Sequence, residues 1–263
     1  MSEVILSVKD LQVRFPLTKS IFAKRKYLYA VDGVSFELNR GETLAIVGES
    51  GSGKTTTALA IARLIKAFAG QVQLGDVDLL SLNATELRDV RNRMQFIFQD
   101  PYSSLNPRLR AERIVREPLD SQNRLSAQDK EKRVDELFKA VGLRPEQKRL
   151  FPHQFSGGQR QRIGIARALA TQPDLIICDE PVSALDVAVQ AQILNLLRRL
   201  QNEFSLTYLF ISHDLGVVQH MCDYVAVMYK GKIVEYADRL TLFNNPQHSY
   251  TKELLAAVPT IAL

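Results

Sequence analysis

Gly48-Glu49-Ser50-Gly51-Ser52-Gly53-Lys54-Thr55 reads G-x-x-x-x-G-K-T, the spacing of a loop that cradles phosphate. Leu44 to Val47 lead into it as a buried strand, and Thr56 to Ile65 follow with few helix breakers. A strand, a glycine-rich turn and a helix N-terminus are the context this motif requires. Glycines reach positive φ without strain, so successive N–H groups can turn inward toward an anion. The helix start adds free N–H donors and about half a positive charge. Lys54 then reaches the outer phosphates, and the Thr55 hydroxyl becomes a ligand for Mg²⁺. A flexible glycine–serine linker would not stand between a strand and an amphipathic helix.

Working outward, Val4, Leu6 and Val8, then Leu11, Val13 and Phe15, alternate as a half-buried strand with a bend at Lys9-Asp10. Residues 16–29 read as a loop with a basic cluster at Lys24-Arg25-Lys26. Val34, Phe36 and Leu38 alternate again before a turn over Asn39–Glu42. The helix after the phosphate loop is expected to end near Gly70, with a short hairpin at Val72–Leu74 and Gly75. Asn83 caps a helix over Ala84–Arg93, and a strand follows over Met94–Phe98.

From Pro101 to about Leu150 no strand pattern is evident. Ser126-Ala127-Gln128-Asp129 is a helix-start signature, and Val134, Leu137, Phe138 and Val141 recur at helical spacing up to a stop at Gly142. The remainder alternates: helix from Gly158, strand from Leu175, helix from Val187, strand from Thr207, helix from Leu215 and strand from Tyr224. Such alternation predicts a parallel sheet with helices packed on it.

With 263 residues the chain can bury a sizeable core as one large domain or two small ones. Its 46% hydrophobic and 24% charged content are ordinary for a globular protein. The net charge of +5 permits contact with anionic partners without arguing for one. Two cysteines, Cys178 and Cys222, are too few for a disulfide framework, which fits a reducing compartment. No secretory leader pattern is present at the start, and no run approaches the roughly 20 apolar residues of a membrane span. A membrane role therefore has to come through a partner.

Four later stretches narrow the large class that shares this loop. Leu175-Ile176-Ile177-Cys178-Asp179-Glu180 is an apolar strand ending in two acids, and strand C-termini are where such sheets place their ligands. Asp179 is placed to hold Mg²⁺ and Glu180 to orient or deprotonate a water. Phe155-Ser156-Gly157-Gly158-Gln159-Arg160-Gln161-Arg162 combines a helix cap with two glycines that let a phosphate approach the helix N–H groups. One nucleotide needs only one cradle, so the second makes sense if it faces a nucleotide held by another copy or a paralogue. Gln99 and His213 each follow a strand, where they can reach Mg²⁺, a water or a γ-phosphate.

Taken together, Gly48–Thr55, Gln99, Ser156–Gln159, Asp179-Glu180, Ser183–Asp186 and His213 resemble, in order and spacing, the ATP-binding cassette family, over nearly the whole chain. The resemblance implies an α/β fold: a P-loop NTPase (RecA-like) core with an antiparallel β subdomain and an inserted α-helical subdomain. It implies one nucleotide-binding domain over 1–263, with the core at 1–99 and 160–240, the helical part at about 100–159 and a helical tail at 241–263. Its cofactors are ATP and Mg²⁺. Gly48, Ser50, Gly51, Ser52, Gly53, Lys54, Thr55 and Thr56 hold the nucleotide, and Ser156, Gly157, Gly158 and Gln159 clasp the ATP of an opposing subunit. Thr55, Gln99 and Asp179 serve the metal, Gln99 also acts in catalysis and couples the site to the membrane partner, Glu180 is the catalytic base, Asp186 organises the dimer contact, and the catalytic His213 meets the γ-phosphate. Phe15 is the first candidate to stack on adenine, and Tyr27 or Tyr29 the second. Phe155 departs from the family's usual leucine.

Two further strings resemble one branch, the peptide, nickel and glutathione importers. They are Gln99-Asp100-Pro101-Tyr102-Ser103-Ser104-Leu105-Asn106-Pro107-Arg108, and Asn245-Pro246-Gln247-His248-Ser249-Tyr250-Thr251 with Leu254-Leu255. The branch implies a second ATPase subunit, two transmembrane permease subunits, a substrate-binding protein and a peripheral place on the cytoplasmic face of the inner membrane. No cysteine follows Cys222, so no iron–sulfur centre is expected. The permease is expected to dock near Gln99–Arg113. The competing reading, a soluble cassette ATPase acting on DNA or ribosomes, predicts a coiled-coil insertion or a second cassette, and the sequence shows neither. Nucleic acid is therefore not an expected partner. A non-enzymatic scaffold would carry degenerate motifs, and these are intact.

Overall fold

The computed structural model describes residues 3–17, 26–122 and 125–257. The chain divides into two compact units, Met1–Asn83 with Tyr208–Leu263, and Ala84–Thr207.

The first unit contains an antiparallel sheet of β1 (Val4–Pro16), β2 (Tyr27–Asn39), β4 (Ala69–Leu74) and β5 (Val77–Asp78) in the order β2-β1-β4-β5. The bend predicted at Lys9-Asp10 is a register shift between Val8 and Leu11, with Asp10 at φ 47°. A second layer is built on β3 (Thr43–Val47), which runs parallel to β8 (Thr207–Ser212) on one side and β9 (Tyr224–Tyr229) on the other. Every residue of β3 is buried, as expected of a strand covered on both faces. β9 turns back into β10 (Lys232–Asp238) through Lys230 and Gly231, both at positive φ. Two such residues make the tight hairpin turn whose twist matches its strands. Helices α1 (Lys54–Ile61), α7 (Leu215–Met221), α8 (Arg239–Asn244) and α9 (Ser249–Ala256) complete the unit.

The second unit is mostly helical: α2 (Ala84–Val90), α3 (Ala111–Gln122), α4 (Ala127–Ala140), α5 (Gly157–Leu169) and α6 (Val187–Phe204), with parallel strands β6 (Met94–Ile97) and β7 (Leu175–Asp179). Ser126 caps α4 by accepting from the Asp129 N–H at 3.1 Å, and Gly142 ends it at φ 72°. Val134, Leu137, Phe138 and Val141 are all buried, each contributing about 1.5–3 kcal/mol by leaving water. Helix α4 packs against α3 and α5.

Four local expectations need correction. The segment read as a loop over 16–29 already re-enters the sheet at Tyr27, opposite Pro16; Lys24 and Arg25 of its basic cluster lie outside the described residues. The helix after the phosphate loop stops at Ile61 rather than near Gly70, because Arg63 turns left-handed at φ 54°, and Gly70 belongs to β4. Helix α3 was not anticipated, since Pro118 inside it reads as a breaker. Strand β10 was missed because its partly exposed, polar residues carry no apolar alternation.

Candidate functional site

In the first unit, β3 delivers the chain to Gly48 at φ 146°, and Gly53 caps α1 at φ 110°. A Cβ on Gly48 would fall 2.1 Å from the Met228 carbonyl oxygen, and one on Gly53 2.3 Å from that of Ala30. Both obstacles are backbone, so only glycine fits at either end of the loop. The Lys54 ammonium, almost fully buried, donates to the carbonyl oxygens of Gly48 and Glu49, each at 2.8 Å. Ser52 carries a buried hydroxyl with no hydrogen-bond partner, and its carbonyl accepts from the Gly231 N–H at 2.9 Å. Ser50, Gly51 and Thr55 are exposed, and Thr56 is half-buried. His213 is exposed just beyond β8, whose last residue, Ser212, pairs with Val47. The parallel register therefore brings His213 to the sheet edge where the phosphate loop begins.

Of the candidate aromatics, Phe15 is exposed near the end of β1. The Tyr27 ring lies 4.1 Å from the Arg14 guanidinium, and Tyr29 meets Phe68 edge-on at 6.5 Å.

In the second unit, Ile97 pairs with Cys178 in parallel register, so the residues two steps further on, Gln99 and Glu180, emerge side by side. Gln99 Nε2 donates to Glu180 Oε2 at 3.0 Å. Asp179 is buried at the end of β7, and Glu180 sits at φ 47°, a left-handed conformation that costs a non-glycine residue about 1–3 kcal/mol. The turn that follows is tied by the Ser183 N–H and hydroxyl donating to the Glu180 carbonyl. Asp186 then caps α6 by accepting from the Val189 N–H at 3.0 Å.

Ser156 and Gln159 form a reciprocal cap on α5: the Ser156 hydroxyl accepts from the Gln159 N–H at 3.3 Å, and Gln159 Oε1 accepts from the Ser156 N–H at 3.0 Å. The glycines between them also serve packing. A Cβ on Gly158 would lie 2.5 Å from Val189 Cγ1, and one on Gly157 3.3 Å from Leu185 Cδ2.

Several contributors escaped the sequence reading. Arg160 donates to the Pro152 carbonyl and lies 3.7 Å from the Tyr102 ring, and Arg167 donates to the Ser104 carbonyl at 2.6 Å. Burial pushes the Arg167 guanidinium down, against the opposing charge of Glu117. These two arginines, seven residues apart on one helical face, fasten the Gln99–Arg108 segment to α5. The spacing is legible in sequence, but charged residues are ordinarily read as a solvated face. Asp100 shapes the same segment; its carboxylate accepts from the Tyr102 N–H and then from Ser103, which holds it below the usual range.

Comparison with known proteins places this geometry. The family model described as ABC transporter matches residues 31–183. The oligopeptide transport ATP-binding protein AppF of Bacillus subtilis (strain 168) is 50% identical over 259 residues, spanning 98% of this chain and 79% of that protein. The oligopeptide transport ATP-binding protein OppF of Salmonella typhimurium (strain LT2) is 51% identical over 261 residues, spanning 98% and 78%. Among solved structures, a dimeric post-hydrolysis state of the ATP-binding cassette MJ0796, bound to ADP and Pi, superposes with a TM-score of 0.78 at 30% identity over 89% of this chain and 98% of that one. The chain belongs to the ABC transporter family and is an ATP-binding, ATP-hydrolysing cassette.

Proposed function

We propose that this chain is the motor subunit of an importer for oligopeptides or a related small solute. It would act with a second cassette, a paralogue or itself, on two membrane permease subunits supplied by a substrate-binding protein. Among the described residues no helix is long and apolar enough to cross a membrane, so attachment to the cytoplasmic face of the inner membrane would run through the permease, near Gln99–Arg113. The relatives' names support the substrate class.

The residues fit the nucleotide and its metal. The buried, unpartnered Ser52 hydroxyl in the phosphate loop suits a phosphate oxygen. Thr55 in the first unit would offer a hydroxyl, and Gln99 and Asp179 in the second an amide oxygen and a carboxylate, the hard oxygen donors that Mg²⁺ prefers. The metal would neutralise charge on the phosphates. Gly48, Ser50–Thr56 and Lys54 in particular would hold the triphosphate, with Phe15 on adenine. Ser156–Gln159 would clasp the partner's nucleotide, Asp186 would order that contact, and His213 would meet the γ-phosphate.

The observation that carries the reading is the Gln99–Glu180 hydrogen bond. It fixes one oxygen of the Glu180 carboxylate at the end of β7, which supports the reading of Glu180 as a general base. Phosphoryl transfer to water needs positioning and charge stabilisation rather than a covalent intermediate. ATP-dependent peptide uptake into vesicles carrying the assembled transporter tests the reading. Uptake that survives replacement of Lys54 by alanine in both cassettes would overturn it.

A further inference from the structure

The string Asn245–Thr251, singled out in the sequence, is not used by any step above, yet it reaches the phosphate loop. Tyr250 is almost completely buried on α9, and its hydroxyl accepts from the Glu49 N–H at 3.0 Å across 201 residues of chain. The other pole of the same peptide group, the Gly48 carbonyl, accepts from the Lys54 ammonium at 2.8 Å. The Gly48–Glu49 peptide plane is thus gripped at both ends, and its orientation fixes where Lys54 sits.

The residues around Tyr250 are arranged to deliver it. Its ring packs on Tyr229 at the end of β9, with centroids 4.2 Å apart. Its own N–H donates to His248 Nδ1 at 3.1 Å, capping α9. The Glu235 carboxylate on β10 accepts from the N–H groups of Gln247 and His248 at 2.8 and 2.9 Å. Burial pushes the Tyr250 phenol up, so it remains a neutral hydroxyl at physiological pH.

We propose that Tyr250 is a positioning residue for the nucleotide: anchored by Glu235 and His248, it locks the Gly48–Glu49 peptide so that Lys54 and the loop N–H groups are preorganised for a triphosphate. The inference rests on the reading of this loop as the ATP site. Preorganisation of this kind raises affinity by removing an ordering cost from the binding step.

The test is Tyr250→Phe, which keeps the ring against Tyr229 and removes only the oxygen. Loss of one such hydrogen bond corresponds to about a 3- to 10-fold change in an equilibrium constant. The Kd for MgATP, measured by calorimetry on the purified full chain, should rise by that factor, with the melting temperature within a degree or two of wild type. Glu235→Gln, which weakens the anchor, should raise Kd in the same direction by less. Lys54→Ala is measured alongside. If Lys54→Ala loses ATP while Tyr250→Phe binds it with wild-type Kd, the positioning role is wrong and the loop reading stands. A lowered melting temperature with unchanged Kd also overturns it, as a merely structural contact would behave that way. If Lys54→Ala binds ATP normally, the loop reading falls and takes the inference with it.

Discussion

Gly158→Ala probes a residue with two demands on it. The added methyl would sit 2.5 Å from Val189 Cγ1, about 1 Å inside the ~3.5–4.0 Å of ordinary carbon contact. Val189 lies in the first turn of α6, where a β-branched side chain has little rotamer freedom to retreat. Overpacking of this kind costs about 1–3 kcal/mol, and the gain in helix propensity from glycine to alanine returns at most ~1 kcal/mol. A net loss of about 1–2 kcal/mol lowers the melting temperature by about 2–8 °C in a chain of this size. The double variant Gly158→Ala/Val189→Ala removes the clashing methyl and should recover most of that loss, giving a coupling energy of about 1 kcal/mol in a double-mutant cycle read by thermal and urea unfolding. If Gly158 lets a phosphate approach the helix N–H groups as proposed, ATPase activity of the assembled transporter should stay depressed in the double variant, because a side chain still stands there. Coupling below ~0.3 kcal/mol would refute the packing argument, and full recovery of ATPase would refute the phosphate role.

Other expected outcomes concern the base, the helical segment and acid stability. Glu180→Gln keeps an acceptor for Gln99 but loses the base, so turnover should fall about 10²–10⁴-fold with ATP binding intact; hydrolysis at the wild-type rate would refute the assignment. Arg167→Met leaves the Ser104 carbonyl without its donor, costs about 1–3 kcal/mol, and should expose residues 100–108 to limited proteolysis. Burial raises the Glu235 pKa, but the nearby Thr251 hydroxyl and the N–H groups of Gln247 and His248 outweigh it and leave the carboxyl below its ordinary value. A depressed folded pKa gives stability that is present above the unfolded value of 4.5 and lost as pH falls through the folded one. Protection of the α9 amides, exchange measured against the intrinsic rate, should therefore be high near neutrality and fall below about pH 4.5; in Glu235→Gln it should already be lower at pH 7.

Much of the chemistry was legible because it is written locally. A phosphate loop, a capped glycine pair and an acidic strand end each need specific residues within eight consecutive positions, where φ values, cap geometry and N–H direction follow from neighbours in sequence. Strand and helix periodicity located most elements for the same reason. The misses were also local in cause: Pro118 disguised α3, and polar, half-exposed β10 showed no alternation.

By itself the sequence determined the family, the parallel α/β plan and which side chains to propose for the chemistry, since each depends on short-range spacing. Only the tertiary structure decided who holds those side chains in place. The parallel register of β6 and β7 set Glu180 beside Gln99, and the packing of Val189 on α6 left only 2.5 Å for a Cβ at Gly158. A tyrosine 201 residues away took hold of the phosphate loop. Contacts made across such separations leave no periodic trace, because the chain between them is free to fold in many ways until the sheet brings its ends together.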